Sequence, residues 1–290
     1  MAGNPELERL LERAWEVRRT FFPDSIEFSA PNRTLSVSVT GGHCDLNCAH
    51  CAGVYLQHMV PLEKVLPGKK GREKSYLVSG GCTREGRVPL LERWAELKEL
   101  AGRGRLNMHT GLVSDTEAAR LSEISSVISF DFVGDNETIA SVYGLPATVE
   151  DYLASYRSLQ KYSRVVPHLC IGLSCGVIKG EYKALEMLRQ EAVEAISMLV
   201  FRPTAGTPFA NCDPPPSDEV GRFLATARLM FPSTPLYLGC MRPGGRYRED
   251  LDCLAIRAGF NKIVLPTPGA RQLAYDFGLS ITLSEECCSL

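Results

Sequence analysis

Apolar positions first recur at helical spacing and then switch to short β-rich runs. Leu7, Leu10, Leu11, Ala14 and Trp15 form one stripe behind Asn4, Pro5 and Glu6, so the chain opens with an amphipathic helix. From residue 34 onward, strand-like runs lie near 34–40, 75–79, 105–110, 127–132, 165–172, 195–201, 235–239 and 262–265. Between them the spacing predicts helices near 90–101, 114–123, 148–162, 181–194, 217–230 and 249–258, with Ser114 and Glu117 as a capping box and Ser217 as an N-cap. Eight β-runs alternating with helices predict an α/β fold with a parallel sheet, and eight strands close a (β/α)8 TIM-type barrel. The expected organisation is a helical extension over 1–33, one barrel domain over 34–280 and a tail over 281–290. Asp213-Pro214-Pro215-Pro216 cannot lie inside a helix or strand, and the basic run from Lys64 to Lys74 carries Pro and Gly, so both read as exposed loops.

Composition narrows the class. With 44% hydrophobic and 23% charged residues the 290-residue chain matches a globular protein with one large core. Lys+Arg 32 against Asp+Glu 34 leaves a net charge of -2, which offers no global field for nucleic acid. No stretch of 18 or more apolar residues occurs, and Met1 to Arg19 is charged and helical rather than leader-like, so the expectation is a cytoplasmic protein without membrane or nucleic-acid partners. In a reducing compartment the 11 cysteines point to metal or redox chemistry before a disulfide framework.

Directly after the first run at 34–40 stands Gly41-Gly42-His43-Cys44-Asp45-Leu46-Asn47-Cys48-Ala49-His50-Cys51, a C-x3-C-x2-C. At this cysteine content chance supplies only roughly 0.02 such triplets. Three thiolates can hold a four-iron cubane with one iron left open to a small molecule, much as a catalytic zinc site keeps one position free. A structural zinc loop is the other reading; it needs a fourth close ligand, for which His43 or His50 could serve.

This triplet, with its further motifs in order along the chain, resembles the radical S-adenosylmethionine superfamily. The resemblance implies a [4Fe–4S] cluster on Cys44, Cys48 and Cys51, its open iron chelated by the amino and carboxylate groups of S-adenosylmethionine, and reductive cleavage to a 5'-deoxyadenosyl radical that takes hydrogen from an unactivated carbon. His50 would pack near the adenine. Ser79-Gly80-Gly81 resembles the glycine motif at the cofactor amino group, where bare backbone permits close approach. Gly176-Val177-Ile178-Lys179-Gly180-Glu181 resembles the adenine-side segment, with Ile178 at the cofactor, and Arg202-Pro203-Thr204-Ala205-Gly206-Thr207-Pro208 resembles the family's P-x-x-G-T-P turn. Arg202 and Arg242, at strand ends, are candidates for binding the methionine carboxylate, for tuning an auxiliary cluster or for structural ion pairs. Asp131 to Asp135 with Tyr143-Gly144, and Leu238 to Pro243 with Ala258-Gly259, look like the biotin-synthase branch.

Eight thiols remain. Cys253 reads as a buried hydrophobe on a helix, Cys170 as core or barrel lining, and Cys175 and Cys212 as loop residues that could be ligands or bystanders. Cys82 and Cys240, each just after a predicted strand, and the terminal pair Cys287 and Cys288 are the expected ligands of an auxiliary iron–sulfur cluster, with Cys175, Cys212 or Ser289 as substitutes for one of the pair. In the family such a cluster can be consumed to donate sulfide. The whole chain is most similar to one subunit of the two-component lipoyl synthases, which implies an octanoylated carrier protein or peptide as substrate, a second radical SAM subunit, and a reductant such as ferredoxin or flavodoxin. Lys64, Lys69, Lys70, Arg72 and Lys74 could dock an acidic carrier, or form a solvated loop.

Overall fold

The computed structural model describes residues 4–68 and 71–290. Its strands are β1 (Ser25–Ser29), β2 (Thr34–Ser38), β3 (Val60–Pro61), β4 (Ser75–Ser79), β5 (Arg105–His109), β6 (Val127–Asp131), β7 (Val165–Ile171), β8 (Ile196–Val200), β9 (Leu236–Leu238), β10 (Lys262–Val264) and β11 (Ser280–Ser284). The helices are α1 (Pro5–Phe21), α2 (Leu62–Val65), α3 (Trp94–Ala101), α4 (Asp115–Ser122), α5 (Asn136–Thr138), α6 (Val149–Gln160), α7 (Glu181–Leu188), α8 (Ser217–Met230), α9 (Gly245–Arg257) and α10 (Pro268–Asp276). The Ser114 and Glu117 capping box is present at α4. Ser217 is the first residue of α8 rather than its cap, because Pro216 holds the extended position before it.

All eight predicted β-runs are strands, and they neighbour one another in chain order from β2 through β10 once β3 is set aside at the edge. Every pairing is parallel. The expected ring of eight does not close in hydrogen bonds: β10 pairs with β1, β1 with β11, and the result is one eleven-stranded, curled half-barrel in the order β11-β1-β10-β9-β8-β7-β6-β5-β4-β2-β3. The two extra seam strands read Ser-Ile-Glu-Phe-Ser and Ser-Ile-Thr-Leu-Ser, too short and too polar to stand out by period alone. Past β11 the chain crosses the seam, where the Arg33 amide donates to the Glu285 carbonyl at 2.9 Å and the Cys287 amide to Thr34 Oγ1 at 3.0 Å.

Period-2 alternation divides the sheet into two faces. Leu106, Met108, Ile128, Phe130, Leu169, Met198, Leu238 and Ile263 are buried in the main core. The opposite face carries Asn107, Ser129, His168, Ser197 and Lys262, all touching the tail, and by the same alternation His109, Asp131 and Cys170. The concave interior is therefore polar, and chemistry-bearing side chains point into it. Helix α1 lies outside the repeating pattern but packs on α8 and α9, with buried Arg18 donating to the carbonyls of Pro23 and Ser25 at 2.9 and 2.6 Å.

Candidate active site

The cysteine loop is built by backbone contacts at the C-terminal ends of β2 and β4. Thr40 Oγ1 donates to the His43 carbonyl at 2.9 Å and accepts from the Gly81 amide at 2.7 Å, while the Asp45 amide donates to the Cys82 carbonyl at 2.9 Å. A Cβ at Gly81 would lie 1.9 Å from the His43 carbonyl oxygen and 2.5 Å from Cys44 Cα, so only glycine lets the loop lie against the strand end. Gly81, expected at the cofactor amino group, also seats the first cysteine. Gly80 packs on Val39 and Thr40. The Ala49 amide donates to the Val142 carbonyl at 2.7 Å and the Phe209 amide to the Ala49 carbonyl at 3.1 Å, and Tyr55 Oη meets Thr204 Oγ1 at 2.7 Å, so the Pro203–Pro208 turn clasps the loop from the other side. Asn47 and Ala52 hold left-handed backbone, at φ 50° and 44°, around the buried Cys48.

These turns bring the three thiols of the triplet together. Cys48 donates to Cys51, which pulls the Cys51 thiol down to about 7, while that bond and burial push Cys48 up. Burial, then the charges of Cys44, Asp131 and Cys51, push the Cys82 thiol up to about 12. Cys82 is thus a fourth thiol beside the triplet. His50 meets Tyr143 edge-on, with ring centroids 5.5 Å apart, and burial lowers it to about 4, so its ring is neutral. Its Nδ1 is buried with no hydrogen-bond partner.

Beside the loop, Asp131, Tyr143, His168, Cys170, Gly180 and Glu181 line a small cavity of about 30 Å³. Glu181 braces the Gly176–Gly180 segment, accepting from the amides of Gly172 and Lys179 at 2.7 Å and of Leu173 at 3.3 Å. Burial raises its carboxyl in spite of these donors. Ile178 is half-buried against the core at this segment, and Arg202 is exposed at the end of β8. His109 Nδ1 lies 3.7 Å from Asp131 Oδ2; desolvation would raise the Asp131 carboxyl, but the imidazole of His109 beside it holds it below the usual range.

The expected auxiliary thiols fall into two places. Cys287 and Cys288 sit on the concave face with their sulfurs 3.9 Å apart, and Cys240 is near enough for its charge to act on Cys287. Cys82 stands with the triplet instead. Cys175 and Cys212 form a disulfide between the β7–α7 and β8–α8 loops, so neither thiol is free to substitute. Arg242 is fully buried and paired with Asp252 at 2.7 Å while donating to the carbonyls of Gly239 and Val264, which makes it a structural cation. Of the basic loop, Lys64 and Arg72 are exposed, Lys74 pairs with Glu285 at 2.7 Å, and Lys69 and Lys70 lie outside the described residues. Sequence reasoning missed His109, His168 and Glu181; the signal was there in polar residues two apart within apolar strands, Asn107 and His109, Ser129 and Asp131, His168 and Cys170.

No family model matches the chain. It is 28% identical over 301 residues to the biotin synthase of Desulforudis audaxviator (strain MP104C), covering 93% of this chain and 87% of that protein. Among solved structures, methylornithine synthase (PylB) aligns with a TM-score of 0.65 at 14% identity, over 97% of this chain and 91% of that one. The hydrogenase maturase HydG from Carboxydothermus hydrogenoformans aligns with a TM-score of 0.71 at 14% identity, over 97% and 73%. The chain is thus similar over nearly its whole length to a biotin synthase, and the two solved structures share its fold. Among the described residues no helix is long and apolar enough to cross a membrane.

Proposed function

We propose that the chain inserts sulfur into a carrier-bound octanoyl group, as one subunit of a two-component lipoyl synthase. The observation that carries this reading is the presence of two thiol sets in one half-barrel: the Cys44, Cys48 and Cys51 loop at the mouth, and Cys287 and Cys288 deeper in the lumen, with Cys240 exposed just past the end of β9. The donor set fits the implied cofactors. Three soft thiols would leave a fourth coordination position open, and the buried His50 Nδ1 beside Tyr143 has no partner, which a cofactor donor could supply. Cys44, Cys48 and Cys51 would hold the cluster; His50, Asp131 and the Glu181-braced segment would hold S-adenosylmethionine. When bound, the pair supplies a carbon-centred radical able to take hydrogen from an unactivated carbon. The residues of this chain orient the reactants: the Gly81 contact fixes the cysteine loop, and neutral His50 offers a nitrogen without charge.

A long, flexible acyl arm can enter the mouth of such a barrel and reach the inner thiols. The second reading, favoured by the biotin synthase likeness, is sulfur insertion or another radical conversion of a small metabolite. The test is anaerobic incubation of the reconstituted protein with octanoylated carrier peptide, S-adenosylmethionine and a reductant such as ferredoxin or flavodoxin, with and without a second radical SAM subunit. A mass gain of one sulfur, ceasing near one equivalent per chain, supports the proposal. Deoxyadenosine formed without any thiolated peptide favours the small metabolite.

A further inference from the structure

Within the polar interior, His168 is fully enclosed and its orientation is set. Its Nδ1 lies 3.0 Å from the Val166 carbonyl, an acceptor, so Nδ1 carries a proton and the ring is held with Nε2 facing the tail. Nε2 is 3.7 Å from Cys288 Sγ, which is 3.9 Å from Cys287 Sγ. Asn107 Nδ2 donates to Cys287 Sγ at 3.4 Å and Ser197 Oγ to Cys288 Sγ at 3.8 Å. Cys240 follows β9, the strand paired with β8, which carries Ser197. A ring nitrogen presented to thiols while the other nitrogen donates to a backbone carbonyl is the arrangement by which proteins orient a metal-ligating histidine. Amide and hydroxyl donors on the sulfurs are how they tune a thiolate-bound centre.

Resting on the auxiliary-cluster part of the proposed function, we infer that His168, and not Cys82, is the fourth ligand of a Cys240, Cys287, Cys288 and His168 site for an iron–sulfur cluster. Cys82 is committed elsewhere: its carbonyl accepts from the Asp45 amide at 2.9 Å and lies 4.0 Å from Cys44 Sγ, which ties it to the cysteine loop. Among the described residues no three such side chains stand at metal-holding distance, in the triplet or in the tail set, so a cluster at either requires the thiols to move closer.

The experiment uses the full-length protein with Cys44, Cys48 and Cys51 replaced by alanine, anaerobically reconstituted with iron and sulfide. About four irons with matching sulfide are expected, as for one cubane. After reduction, pulsed electron paramagnetic resonance should show a directly coordinated nitrogen. Adding His168→Cys should keep the iron and abolish the nitrogen coupling; adding Cys82→Ala should change neither. A cluster without nitrogen coupling, or one whose iron follows Cys82→Ala, overturns the ligand assignment and leaves the auxiliary cluster standing. Retention of zinc without sulfide, or of no metal, overturns both.

Discussion

The cysteine loop and the tail both present thiols to one lumen, but they are held by different forces. The loop is shaped from its own backbone: left-handed residues at Asn47, Ala52 and Gly53, local hydrogen bonds from Cys51 and Ala52 to the Cys48 carbonyl, and a glycine contact with no spare volume. The tail has almost no internal structure and is held by side chains of distant strands. Lys262 donates to the carbonyls of Cys288 and Leu290 at 3.0 and 3.3 Å, Arg164 to the Ser289 carbonyl at 2.9 Å, and Ser129 meets Ser289 at 2.8 Å, while Arg105 pairs with Glu286. A loop of the first kind keeps its geometry from spacing alone. A segment of the second kind has geometry only when the whole half-barrel is folded.

The largest effect that would sharpen this contrast comes from the loop. Replacing Cys44, Cys48 and Cys51 together with alanine is expected to abolish S-adenosylmethionine cleavage while circular dichroism stays native, since the core does not include the loop thiols other than Cys48. Persistent deoxyadenosine formation would remove the triplet from the chemistry.

Next is Gly81→Ala, which drives a methyl into the His43 carbonyl and Cys44 and should cost about 3 kcal/mol in denaturant unfolding, with a matching loss of cluster retention. Gly42→Ala, where a Cβ meets nothing within 4 Å, is its control and should stay within about 0.5 kcal/mol. Equal effects at the two glycines would show that the loop is not seated by steric contact.

The smallest effects test the tail. Lys262→Met removes a buried cation that donates to two tail carbonyls and pairs with Glu27 at 3.0 Å, so a loss of about 2 kcal/mol is expected, with faster alkylation of Cys287 and Cys288. Lys74→Met breaks only the exposed pair with Glu285 and should leave the unfolding midpoint unchanged. Unaltered alkylation in Lys262→Met would mean that the tail is held by its apolar contact at Leu290 instead.

Much of this molecule could be read locally. Runs of β-branched and apolar residues located eight strands, since a buried parallel strand is written in four to eight consecutive residues, and the triplet identified itself because its three ligands lie within eight positions. The seam escaped, because β1 and β11 are half-polar pentapeptides whose meaning comes from pairing with each other across the chain. The Cys175 and Cys212 disulfide escaped for a related reason: the sequence separation of 37 spans a helix and a strand that bring two loops to one rim.

By itself the sequence determined the parallel α/β class, the order of the strands, the capping of α4 and the cysteine loop with its neighbouring glycines, all set by interactions between residues close along the chain. Tertiary structure alone decided which thiols share a site. Cys82 follows the glycine motif and is drawn to Cys44 by a strand-end contact, whereas Cys288 meets His168 across 120 residues. That meeting depends on the curl of the sheet and the path of the tail over its seam, and no local period encodes either, because both are fixed by burial and hydrogen bonding summed over the whole half-barrel.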